Sequence, residues 1–155
     1  NAVTLLAQNA GVGGMIGGQV LDLKYEQGTP ELSEILTVHK LKTGALISAA
    51  CIMGCIAAGA DSTQISAASK FAYYLGVAFQ FKDDLLDIYG DESKLGKPVG
   101  SDKENEKTTY VTLTGDKKAQ SDVENLTASA IAELSAFKNN EFVTALARYL
   151  VSRDK

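Results

Sequence analysis

At 155 residues the chain is long enough for one domain with a core of its own. A hydrophobic share of 45% with a charged share of 22% excludes a disordered or low-complexity chain. The net charge of −4 argues against a nucleic acid as main partner, which would need a broad basic face; the lysines fall instead in short local groups suited to small anionic ligands.

Taken in chain order, the pattern is helical nearly throughout. Residues 2–24 read as a first helical segment. It carries Gly11, Gly13, Gly14, Gly17 and Gly18, and each interior Gly costs a helix about 1 kcal/mol against Ala. That density predicts close backbone approach to another helix or to a ligand. It is no dinucleotide fingerprint, because Ile16 stands where the third Gly is needed and no strand precedes it. Thr29-Pro30-Glu31 reads as a helix start with Thr29 as N-cap. From there the helical pattern runs to about Gly59, with an interruption near Thr43-Gly44.

The run 44–60 is uncharged and rich in Ala and Gly. It is short for a membrane span and is expected to be a buried core helix, so no transmembrane segment is predicted. Cys51 and Cys55 lie on it at i and i+4, a poor disulfide geometry. His39 is the sole imidazole, too few partners for zinc. Both cysteines are read as reduced core residues of a cytoplasmic protein. No secretory signal is read at the start of the chain.

Asp61-Ser62-Thr63 is expected to cap a helix that runs to about Tyr89. Residues 90–107 read as a polar loop. Residues 108–114 are β-branched and alternate like a strand, but a lone strand has nothing to pair with, so a helix start is predicted there. Residues 116–137 and 139–153 return to helical period. The fold class is therefore all-α.

The chemistry concentrates in FQFKDDLLD, residues 79–87. On a helix, Gln80, Asp83, Asp84 and Asp87 stand at i, i+3, i+4 and i+7, within a stripe roughly 100° wide. Lys82 is on the far side, and no base on the same turn neutralises the stripe. Like charges this close repel unless a cation intervenes. Mg²⁺ suits the position, since it takes one or two carboxylates and fills its shell with water and phosphate oxygens. A solvated acidic face is the alternative. Lys42-Thr43 puts an ammonium at the edge of an apolar helix, which is unfavourable unless an anion or carboxylate meets it. In LGKPVGSDKENEK, residues 95–107, Gly96 and Gly100 leave the backbone open to a ligand, and Lys97, Lys107 and Asp102 add charge. In GGQVLDL, residues 17–23, Gln19 and Asp22 are polar at i and i+3 on one face of an apolar segment.

These segments, in chain order GGQVLDL, HKLKTGALI, FQFKDDLLDIYGD and LGKPVGSDKENEKTTY, resemble with their spacing the C-terminal half of trans-polyprenyl diphosphate synthases. The likeness is greatest to bacterial farnesyl diphosphate synthase and covers essentially the whole chain. It implies a helical bundle around a central cavity, usually a homodimer, with residues 1–155 the C-terminal part of a single domain. It implies that Asp83, Asp84 and Asp87 bind Mg²⁺ bridging to an allylic diphosphate, with Asp102 supporting the metal's water shell. Lys42, Lys97 and Lys107 would contact that diphosphate. Thr43 and Gln80 would lie beside the allylic C1, and Gln19 and Asp22 would line the allylic pocket. Arg153 and Lys155 resemble a basic tail that closes over the isopentenyl diphosphate site.

The implied activity is condensation of isopentenyl diphosphate with geranyl or dimethylallyl diphosphate to farnesyl diphosphate. The chain departs from the family by lacking its first aspartate-rich motif and its basic Gly-Lys-Arg segment; Arg148 and Arg153 are its only arginines. By itself it is expected to be inactive, and a non-catalytic subunit of a heteromeric synthase is the alternative.

Overall fold

The computed structural model describes residues 2–26, 28–89 and 107–153. They form α1 (Ala2–Ala10), α2 (Met15–Tyr25), α3 (Leu32–His39), a π-helical turn (Lys40–Gly44), α4 (Ala45–Ala57), α5 (Ser62–Tyr89), α6 (Tyr110–Thr114), α7 (Asp116–Glu133), a 3₁₀ turn (Leu134–Ala136) and α8 (Glu141–Ser152). The fold is all-α, with no strand among the described residues. The β-branched stretch 108–114 is the helical turn α6. Thr109 caps it by accepting from the Thr112 amide, and Thr112 Oγ1 accepts from the Thr109 amide at 2.8 Å. Local capping by the hydroxyls thus overrides the β preference of the same residues.

Two expected helix boundaries are corrected. Residues 2–24 are not one helix but two, because the glycines at 11–14 form a turn; a Cβ on Gly14 would stand 2.0 Å from the Asn9 carbonyl oxygen. The N-cap of α3 is Glu31, not Thr29. Glu31 and Glu34 form a reciprocal capping box, the Glu31 amide donating to Glu34 Oε2 at 2.9 Å, and a carboxylate takes the role a hydroxyl was expected to fill. Asp61 and Gln64 cap α5 in the same reciprocal way, at 2.9 and 3.1 Å. The stop at Gly59 is as expected. Its φ of +70° closes α4, with the Ala60 amide reaching back to the Cys55 carbonyl at 2.9 Å.

Helix α5 is the spine. Its C-terminal half gives Val77, Phe81 and Leu85 to a cluster with Ile35, Tyr110, Val111 and Val123. The Phe81 and Tyr110 rings stack with centroids 3.5 Å apart. Its N-terminal half gives Phe71 and Leu75 to a second cluster with Ala130, Leu134 and Ala147. Burying a side chain such as Phe81 or Leu75 contributes roughly 1.5–3 kcal/mol, so α5 is held from both ends.

Helix α4 is less buried than its apolar sequence predicts: only Ala45 and Ala49 are buried, and Ile56 is 40% exposed. Cys51 and Cys55 are free thiols, half-buried rather than enclosed, and burial raises the pKa of each. The helical run Leu32–Ala57 is long and apolar enough, by length and composition alone, to cross a membrane, with 17% of its most apolar window buried.

Candidate functional site

The π-helical turn at Lys40–Gly44 is where three elements converge, and two glycines let them. A Cβ on Gly18 of α2 would lie 2.2 Å from the Lys42 backbone nitrogen. A Cβ on Gly76 of α5 would lie 2.9 Å from Gly44 Cα. One helical turn beyond each glycine, on the same face, comes a polar side chain: Asp22 after Gly18, Gln80 after Gly76. The close backbone approach therefore aims Asp22 and Gln80 at the ground beside Lys42.

The result is a cleft of about 220 Å³ lined by Asp22, Tyr25, His39, Lys42, Gln80, Asp83, Asp84, Lys107, Thr108 and Thr109, with Pro30, Ile35 and Val38 as its apolar wall. Lys42 Nζ donates to Asp22 Oδ2 at 2.6 Å, and Lys107 Nζ pairs with Asp22 Oδ1 at 3.0 Å. The carboxylate demanded by a lysine at the edge of an apolar helix is thus Asp22. Burial works to raise the Asp22 pKa, but the hydrogen bonds and charges of Lys42 and Lys107 outweigh it and hold the carboxyl below its ordinary value. His39 is 7% exposed, edge-on to Phe81 with ring centroids 5.8 Å apart. Burial lowers its pKa to about 4, against the pull of Asp22 and with Lys107 and Lys42 adding to the drop, so the imidazole is neutral near pH 7.

Asp83 and Asp84 line the same cleft. Asp84 Oδ2 accepts from the Tyr110 amide at 3.0 Å, which ties α6 to α5. Asp83 Oδ1 accepts from Arg153 at 3.0 Å, and the Arg153 guanidinium lies 3.8 Å over the Phe79 ring. A base that meets the acidic stripe comes from the end of α8, seventy residues on, where helical periodicity could not reveal it.

The expected residues separate into three groups. Asp22, Lys42, Lys107, Gln80, Asp83 and Asp84 converge on the cleft. Asp87 is 2% exposed and is not among the residues that line the cleft. Gln19 is exposed and Thr43 is half-buried, and neither lines the cleft. Gln19 sits about 100° around α2 from Gly18, while Asp22 is only about 40° off that contact line. Lys97, Asp102 and Lys155 lie outside the described residues.

His39, Tyr25, Thr108 and Thr109 line the cleft without having been singled out for it. The one available signal was His39 three residues before Lys42, on its helical face. Among the described residues no group of three or more His, Cys, Asp or Glu is arranged as a metal cage. Asp83 and Asp84 facing two lysines suit Mg²⁺ all the same, since that ion uses one or two carboxylates and shares the rest of its shell with phosphate and water.

Known proteins match this arrangement along its length. The family model described as Polyprenyl synthetase matches residues 1–150. The chain is 40% identical to farnesyl diphosphate synthase of Haemophilus influenzae over 97% of its own length and 52% of that protein's. It is 37% identical to farnesyl diphosphate synthase of Escherichia coli over 99% of its length and 53% of that protein's. It superposes with a TM-score of 0.79 and 30% identity on a Helicobacter pylori geranyltransferase solved with magnesium and isoprenyl diphosphate, covering 97% of this chain and 49% of that one. The chain spans about half the length of these relatives. With a family model matched along nearly all of it and the all-α fold shared, the chain belongs to the polyprenyl synthetase family.

Proposed function

We propose that this chain forms the allylic-diphosphate wall of a Mg²⁺-dependent prenyltransferase, one that condenses isopentenyl diphosphate with geranyl or dimethylallyl diphosphate to give farnesyl diphosphate. The observation that carries the reading is a single cleft of about 220 Å³ that Lys42 and Lys107 line together with Asp83 and Asp84. Two ammonium groups and a pair of carboxylates in one cleft form the charge pattern of a metal-diphosphate site: the lysines would meet phosphate oxygens and the acids the cation.

The chemistry asked of such a site is release of diphosphate from an allylic carbon. Negative charge grows on the leaving group as the C–O bond breaks, and preorganised positive groups stabilise it. Lys42 and Lys107 are placed for this, already oriented by Asp22. Bound Mg²⁺, held by Asp83 and Asp84, would supply Lewis-acid stabilisation of the same leaving group. Gln80 reaches the cleft with a carbonyl oxygen able to face the developing positive carbon. His39, kept neutral, adds no positive charge that would oppose that carbon. Ile35, Val38 and Pro30 give the cleft an apolar side, which would help keep water from quenching the cation.

Asp83→Ala in the intact synthase carrying this chain tests the reading. Turnover of geranyl and isopentenyl diphosphates is expected to fall at least about a hundredfold, as when a main electrostatic stabiliser is lost. A rate near that of the parent would remove the acidic pair from the mechanism.

A further inference from the structure

We propose that Asp22 is the positioning residue for both diphosphate-facing lysines: its carboxylate fixes the Lys42 and Lys107 ammonium groups before any ligand arrives. The inference rests on the reading of the cleft given above and changes the part Asp22 plays in it. Expected to line the allylic pocket, Asp22 lines the cleft with both oxygens committed, Oδ2 to Lys42 at 2.6 Å and Oδ1 to Lys107 at 3.0 Å. With each oxygen held by an ammonium group, it is not placed to serve as a metal ligand.

The pair of contacts is built in. The Asp22 side chain is 10% exposed, while those of Lys42 and Lys107 are 35% and 26% exposed, so the acid sits beneath the two bases and they open toward the cleft. Gly18, one turn earlier on the same face of α2, brings the backbone against Lys42 so that a side chain as short as Asp can reach. The lysines come from the π-turn and from the segment before α6, and their shared contact with Asp22 ties these distant stretches to α2.

Each lysine side chain carries considerable rotamer entropy. Ammonium groups already pinned lose less of it when a diphosphate binds. Without Asp22 the two like charges would repel, and neither would have this carboxylate to fix its direction. The depressed Asp22 pKa keeps the anchor ionised at neutral pH.

The test turns on a sign. Removing a negative charge beside an anion site should tighten anion binding by simple electrostatics. A positioning role predicts the opposite. Inorganic pyrophosphate is titrated calorimetrically, with Mg²⁺, into the intact synthase carrying this chain and into its Asp22→Asn variant. Binding is expected to weaken at least about fivefold, the scale of one lost charge-assisted hydrogen bond, with the far-ultraviolet circular dichroism unchanged. A smaller loss, no change or tighter binding in the folded variant overturns the proposal.

If Asp22→Asn does not fold, Asp22→Glu carries the test. It keeps the charge, so affinity within about threefold of the parent is expected, and a larger loss overturns the proposal. Failure of the parent to bind pyrophosphate at all would overturn the diphosphate reading of the cleft first, and this inference with it.

Discussion

His39 shows how far one residue's state is set by its surroundings. It is 7% exposed, its Nδ1 has no hydrogen-bond partner among the described residues, and the charged groups facing it are Asp22, Lys107 and Lys42. Burial wins over Asp22 and brings the pKa to about 4 from an ordinary 6.5. The unfolded chain therefore binds a proton that the folded one refuses between these values. Stability from this residue is complete above about pH 6.5 and is lost as pH falls toward 4. Between pH 7 and pH 5 the loss should be on the order of 2 kcal/mol. Denaturant unfolding of the intact synthase at both pH values should show it, and His39→Gln should remove that part of the pH dependence; an unchanged pH profile in the variant would place the proton elsewhere. At this scale the sequence revealed needs more readily than partners. Lys42 was seen to require an acid, and Asp22 was marked as polar on an apolar segment, but nothing in helical spacing joins residues on different elements. The Arg153–Asp83 pair was hidden for the same reason.

At the scale of elements, the site exists because α2, the π-turn and α5 touch backbone to backbone. The sequence signalled both halves of this: a glycine-dense first segment and an interruption near Thr43-Gly44. What it could not show is that the interruption is a π-turn, a wider coil often found at functional positions, or that Gly18 and Gly76 are the two contact points. Gly18→Ala measures the contact. Helix propensity favours Ala by about 1 kcal/mol. Against it, the new Cβ would stand 2.2 Å from the Lys42 backbone nitrogen, which no rotamer change can relieve. Overpacking of this kind costs typically 1–3 kcal/mol, and a backbone clash belongs at the upper end. The variant should melt several degrees below the parent in a thermal scan of the intact synthase, and because Lys42 shifts with α2, its affinity for pyrophosphate should fall too. A melting temperature at or above that of the parent would mean that α2 is free to move away.

Across the whole molecule, the fold class and family were legible because four motifs and a 3.6-residue period agree along the chain. The degree of burial was not. An apolar helix reads as core, yet α4 keeps only two residues fully buried. Large apolar side chains also stand open elsewhere: Val12 at 85%, Val20 at 60% and Leu23 at 56% around α2, and Phe142 at 77% and Tyr149 at 63% along α8. Phe142, Leu146 and Tyr149 fall at i, i+4 and i+7, one continuous face. Periodicity marks such a face as apolar but cannot say which chain covers it. Contiguous apolar surface of this kind is rarely left open in a monomeric soluble protein. The chain spans about half the length of its relatives and carries one acidic wall with its lysines. Produced as residues 1–155 alone, it is therefore expected to give no turnover of geranyl and isopentenyl diphosphates. It should also enhance the fluorescence of a hydrophobic dye and elute from a sizing column above its monomer mass of 16.4 kDa. Product formation by a monomeric, dye-silent chain would show that these 155 residues complete both the site and the core by themselves.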